Sequence, residues 1–195
     1  MKGMNQPNLT SLIGVGAVKT SFVRLLQAAK IITRPEDVIA FNKNIGDVIA
    51  FQAQVTAALT NISFFDNTSG VSGNYNTQGG FRSANEHIAV YAIKIFQGLN
   101  AGAITAKDWQ PGLNEATLQN GTLNLTVAGT NVLRTIPLTA FNGDGSESSE
   151  QGVYNLNAPI LIPAQQPVTC QIQLSAAAVA DSAIQIQLLS FGLFS

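Results

Sequence analysis

The sequence predicts an all-β, antiparallel sandwich preceded by a basic arm that contains one amphipathic helix. Three observations point there. From about Asp47 onward, apolar residues recur at every second position in short runs separated by Gly, Pro, Asn and Ser, the period and punctuation of half-buried strands. Only the stretch from about Val18 to Thr33 carries a convincing helical period. No repeat of fixed length runs through the chain, which argues against a solenoid or propeller. With 195 residues, the chain has the length of one domain with an arm. We divide it into residues 1–46, the arm, and residues 47–195, the sandwich.

In the arm, Lys19, Thr20, Arg24, Gln27, Lys30 and Arg34 fall on one arc of a helix, and Val18, Phe22, Leu25, Leu26, Ala29 and Ile32 on the other. Arg34-Pro35 should end it, because a residue before proline is pushed out of the α region. Pro35-Glu36-Asp37 could open a short second turn, where proline and acids are both suited to a helix start.

The first strand is expected where Val55, Ala57 and Leu59 alternate with Gln54, Thr56 and Thr60, running on into Ile62, Phe64 and Phe65. A loop of Gly, Ser and Asn from Asn67 to Gly80 has too little apolar content to pack. Glu86 to Phe96 follows as a long strand, with Ile88, Val90 and Ala92 on one face and Ala89, Tyr91, Ile93 and Ile95 on the other. Apolar residues on both faces predict a strand covered on both sides. Leu123, Leu125 and Val127, then Gly129-Thr130-Asn131, then Val132 to Pro137 read as a hairpin. After a loop from Asn142 to Gly152 come short strands at Val153–Leu156 and Ile160–Ile162. A closing pair is expected at Val168–Leu174 and Ile184–Leu188, each with Gln or Thr at alternate positions.

Composition limits the chemistry. Charged residues make up 11% of the chain, against about 25% in an average globular protein. Polarity comes instead from amides and hydroxyls, with 17 Asn and 15 Gln. The formal net charge of -1 hides an asymmetry. Lys2, Lys19, Arg24, Lys30, Arg34 and Lys43 against Glu36 and Asp37 give the first 43 residues +4, and the other 152 residues carry four basic and nine acidic side chains, or -5. A basic arm on a mildly acidic body suits contact with an anionic surface, nucleic acid phosphates or lipid headgroups, and Lys19, Arg24, Lys30 and Arg34 are the residues to make it. One such arm binds weakly, so many copies acting together are required. Residues 1–16 hold one basic residue, Lys2, and no apolar run of signal-peptide length, so we expect no export signal. The uncharged stretches Val48–Phe65 and Gln151–Ala180 are broken by Gln, Asn and Pro and read as strands rather than membrane helices.

The candidate catalytic and metal motifs are weak. Gly14 to Thr20 resembles a phosphate loop but has Val18 where Gly must precede the Lys. Glu86-His87 is the one place where an imidazole neighbours a carboxylate, yet adjacent strand residues point to opposite faces. Asn142 to Glu147 spaces oxygen ligands like a calcium loop, but Val153 stands where the acidic ligand should be. Cys170, the sole cysteine, has no disulfide partner and alternates with core residues, which reads as a small buried hydrophobe. The sequons at Asn8, Asn61, Asn67, Asn120 and Asn124 would matter only in a secreted eukaryotic protein. We expect no enzyme, no cofactor, no metal and no small-molecule substrate. Phe81, Trp109, Phe191 and Phe194, near loops or the terminus, are candidates for subunit contacts, because aromatic side chains anchor interfaces.

Leu59-Thr60-Asn61-Ile62-Ser63-Phe64-Phe65-Asp66-Asn67, the hairpin from Leu123 to Phe141 with Ile136-Pro137-Leu138, and Ala158-Pro159-Ile160-Leu161-Ile162-Pro163-Ala164-Gln165-Gln166-Pro167 together resemble the single jelly-roll structural proteins of viral (bacteriophage) capsids. The resemblance covers roughly residues 50–195. It implies eight strands in two facing sheets, an N-terminal arm beneath the shell, and self-assembly as the activity. Its partners would be copies of itself and other capsid proteins, with packaged nucleic acid or an internal membrane against the arm. The protein would be made in the host cytoplasm and reside in the virion as major coat, minor coat or penton. The rival expectation is a carbohydrate-binding or adhesive module using Tyr75, Phe81 or Trp109, since the same architecture hosts lectins.

Overall fold

A computed structural model describes residues 24–30, 45–55, 58–65, 87–99, 102–142, 151–178 and 182–193. These residues form nine strands in two antiparallel sheets, with few helical turns. In order they are β1 (Ile45–Val55), β2 (Asn61–Phe64), β3 (His87–Leu99), β4 (Asp108–Pro111), β5 (Gly121–Val127), β6 (Thr130–Pro137), β7 (Val153–Ile162), β8 (Val168–Leu174) and β9 (Ala183–Leu193). One sheet runs β1-β9-β3, with β7 and β4 sharing the far side of β3, and the other runs β2-β8-β5-β6.

Alternation explains the four-stranded sheet. In β8, Val168, Cys170, Ile172 and Leu174 are buried while Gln171 and Gln173 are exposed. In β5, Leu123, Leu125 and Val127 are buried between half-buried Thr122, Asn124 and Thr126. These buried residues meet Ile88, Val90, Ile93 and Ile95 of β3 and Ile184, Ile186 and Leu188 of β9 in one continuous core. Phe64, Phe65, Leu113, Leu118, Leu138 and Phe141 belong to the same core. The β5–β6 hairpin forms as expected, through Ala128 (φ 51°) and Gly129 (φ 76°). Two successive left-handed residues are the geometry of the type I′ turn, which matches strand twist.

The outer side of the five-stranded sheet is partly apolar around β3, as its sequence predicts, and also carries half-buried Lys94, Gln185 and Gln187. Ala89, Ala92, Phe191 and Ala53 lie outside the core cluster and are nonetheless 4% exposed or less. On this outer side the rings of Tyr91 and Phe191 meet with centroids 5.0 Å apart, and Lys94 Nζ sits 5.3 Å from the centre of the Phe96 ring.

Several boundaries differ from expectation. The strand expected to run unbroken through Val55 to Phe65 is two strands in different sheets, β1 and β2. The chain crosses between them at Ala58, which adopts φ 60° and donates its N–H to Ala178 O. The face assignment of β3 fails beyond Val90, because a bulge there shifts the register against both β7 and β9. One extra residue reverses the side-chain phase, so Ile93 and Ile95 join Ile88 and Val90 in the core and Ala92 turns outward with Ala89. The two short strands at 153–162 are one strand, β7, whose register jumps from Asn155 to Ile160. The closing pair does not pair. β8 bonds β2 and β5, whereas β9 bonds β1 and β3. In the arm, residues 24–28 are helical and the i→i+4 bond of Ala29 gives way to an i→i+3 bond at Lys30. Lys30 is left-handed at φ 57°, so the described turn leaves helical geometry there; residues 18–23 and 31–33 of the expected helix lie outside the described residues.

Candidate functional site

The arm residues come first. Arg24 and Lys30 are exposed on the helical turn, while Lys19 and Arg34 lie outside the described residues. Leu26 is fully buried and Leu25 half-buried, while Ala29, placed on the same apolar arc, is exposed. Arg24, Leu25 and Ala28 line a cleft of about 360 Å³ with Asn157, Ala158 and Pro159, the residues of β7 that fall inside its register jump. The excursion of β7 forms one wall of the cleft and the helical turn another.

Of the aromatic interface candidates, Phe81 and Phe194 lie outside the described residues, as does Tyr75. Phe191 is 4% exposed within the single chain and stacks with Tyr91. Trp109 is half-buried on β4, opposite Gly98 of β3. Its indole lies so close that a Cβ on Gly98 would stand 3.0 Å from Cζ3.

His87 opens β3, half-buried, and its Nδ1 accepts the backbone N–H of Ala164 at 3.1 Å. Burial holds its pKa below the ordinary 6.5, since desolvation disfavours the imidazolium. Glu86 lies outside the described residues. Cys170 is fully buried between core residues, and burial pushes its thiol pKa up, the opposite of an activated nucleophile. Residues 143–150 of the calcium-like loop are outside the described residues. Asn142, its first member, has a different partner: its Oδ1 accepts the N–H of Leu113 at 2.9 Å and its Nδ2 donates to Leu113 O at 3.1 Å.

That pair belongs to a polar network at one end of the sandwich, which sequence reasoning missed. Gln97 on β3 is 6% exposed, and its Oε1 accepts the N–H groups of Asn114 (2.6 Å) and Glu115 (3.2 Å). Gln119 Nε2 donates to Leu113 O at 2.7 Å. The Glu115 carboxylate accepts from the hydroxyls of Thr117 and Ser182. These bonds satisfy the backbone of 113–115 as it passes over the core, where an unpaired amide is costly. The network ties the β4–β5 connection to β3 and β9, and every contact in it is internal to the chain.

The outer face of the four-stranded sheet is polar. Asn61, Gln171 and Gln173 are exposed there, and Ser63, Thr122, Asn124, Thr126 and Thr169 half-exposed. Register lines them up in rows: Asn61 beside Gln173 beside Thr122, and Ser63 beside Gln171 beside Asn124. Asn124 also accepts the N–H of Thr135 on β6 at 2.8 Å. Across all four strands the single charged residue is Arg134, on the edge strand β6. The sequence signal for this face was the Thr, Asn and Gln alternating with the core positions, but only the register shows that they form one surface.

No group of three or more His, Cys, Asp or Glu able to hold a metal occurs among the described residues. No described helix is long and apolar enough to cross a membrane. Compared with protein-family models, with curated proteins and with solved structures, the chain matches none.

Proposed function

We propose that this protein is a structural subunit of a virion shell, of the bacteriophage type, built on a jelly roll and active by self-assembly. The observation that carries the reading is the strand order. Setting aside the short β4, the sheets run β1-β9-β3-β7 and β2-β8-β5-β6. Each sheet draws its strands from both ends of the chain, and β1 to β2, β7 to β8 and β8 to β9 are all crossings from one sheet to the other. That order supports a reading as eight strands wound as two Greek keys, the architecture used by viral capsid and lectin domains.

Fold alone does not assign a function, and the surface adds the rest of the support. A chain with 11% charged residues and a sheet face whose four strands carry one charge, Arg134, is suited to contacts with its own copies, because few charges must be desolvated. The basic arm, with Arg24 and Lys30 exposed on its helical turn, would face packaged nucleic acid or an internal membrane. The other partners are further copies and other capsid proteins, with the virion as the location. Electron micrographs of the concentrated full chain test the reading. Rings, pentamers or closed shells are expected; fields of dispersed single subunits under all salt conditions would contradict it.

A further inference from the structure

The outer face of the β2-β8-β5-β6 sheet is polar and almost without charge, an unusual surface to leave in water. Soluble domains hold roughly a quarter to a third of their surface residues as charged side chains, and charge depletion is instead a mark of interface centres. On β2, β5 and β8 the exposed groups are Gln171, Gln173 and Asn61, flanked by Thr122, Asn124 and Ser63, and the edge strand β6 adds exposed Asn131, Val132, Arg134 and Thr135. Each amide or hydroxyl both donates and accepts, so the face is complementary to itself.

We propose that this face, centred on Gln171 and Gln173, is where one copy of the chain packs against the same face of a second copy. The inference deepens the assembly reading and rests on it. The chemistry disfavours a sugar as occupant, since the four strands present no solvent-facing aromatic ring for a sugar to stack on. It disfavours an anionic or cationic partner too, since the sole charge on these strands, Arg134, sits on the edge strand. The size is informative. Strands of about seven residues at roughly 3.3 Å each and four strands at about 4.8 Å spacing give a face of about 440 Å². Stable complexes bury about 800 Å² on each partner. The contact is therefore weak alone and gains strength only where each subunit makes several contacts at once, as in a shell.

Light scattering on full-length variants tests this. Gln171→Glu with Gln173→Glu places like charges face to face, and Gln171→Lys with Gln173→Lys does the same with the opposite sign. Thr139→Glu with Ala176→Glu, both exposed and outside the four strands of this sheet, is the control of equal charge. The account expects wild type and control to associate alike, and the Glu and Lys variants each to need at least tenfold more protein. Mixing the Glu and Lys variants should restore association, which a merely structural effect of either substitution would not do. Circular dichroism of each variant checks folding, and if one pair unfolds, the other pair against the control still decides. Association of the face variants at wild-type concentration would overturn the face while leaving the assembly reading intact. Mixtures that fail to recover would overturn the same-face pairing. Wild type that stops at dimers sensitive to these substitutions would support the face and contradict the shell; wild type that stays single would remove both.

Discussion

The backbone N–H of Ala164, just beyond β7, donates to Nδ1 of His87 at the start of β3. The bond requires a neutral acceptor nitrogen, and burial of the ring works in the same direction by holding the pKa below 6.5. Folded His87 therefore resists a proton that the unfolded chain takes up. By linkage, the stability this provides is fully present above about pH 6.5 and is lost as pH falls through the lower folded pKa. We expect a His87 titration midpoint below 6.5 by NMR and a stability that declines on acidification over that window. His87→Gln, which cannot titrate, should flatten that part of the profile.

Gly152 is fixed by its surroundings. At φ 83°, a Cβ there would lie 2.7 Å from both Gly112 N and Ile95 O, and Ile95 N donates to Gly152 O at 2.8 Å. This is the junction where β7 and β4 share one side of β3. Gly152→Ala adds a left-handed strain and a backbone clash, and should cost about 1–3 kcal/mol in denaturant titrations. Gly129→Ala is the comparison: its φ is also positive, at 76°, but a Cβ meets nothing within 4 Å, so it should cost less.

Asn142→Ala removes the acceptor for the N–H of Leu113, a residue with no exposed surface. An orphaned buried donor costs about 1–3 kcal/mol. Gln119→Ala removes only one of two donors to Leu113 O, because Asn142 Nδ2 remains, and should cost about 0.5–1.5 kcal/mol. Chemical denaturation of the two variants beside wild type checks the order.

Cys170 should be silent toward thiol reagents in the native protein. It is fully buried with a raised pKa, so neither the thiolate nor an access path is present. The rate of labelling at mildly alkaline pH should follow unfolding, rising sharply with denaturant. Rapid labelling of the folded protein would contradict the described core.

What could be read from the sequence depended on whether polarity marked a solvent face. Val168–Leu174 and Leu123–Val127 were legible because Gln, Thr and Asn fill the alternate positions. The bulge at Tyr91 was not, since Ala89, Tyr91, Ala92 and Ile93 are all apolar and a one-residue phase shift among them leaves no trace. The crossing at Ala58 was hidden for a related reason: alanine in a left-handed conformation carries none of the turn signals of Gly or Asn. β4 and the turn Ala116–Gln119 span four residues each, too few to show a period. The polar network of Gln97, Glu115, Asn142 and Ser182 joins residues up to 85 positions apart, and amides spread through an amide-rich chain do not announce which of them are buried. The sheet pairing that aligns Gln171 with Asn124 and Gln173 with Thr122 is likewise a property of register.

The most direct test of the central claim is the molar mass of the full chain by light scattering as concentration is raised. A single subunit has a mass of 20.5 kDa. Self-assembly predicts masses climbing through discrete multiples to species of many subunits. A mass fixed at one subunit across concentration and salt would contradict it.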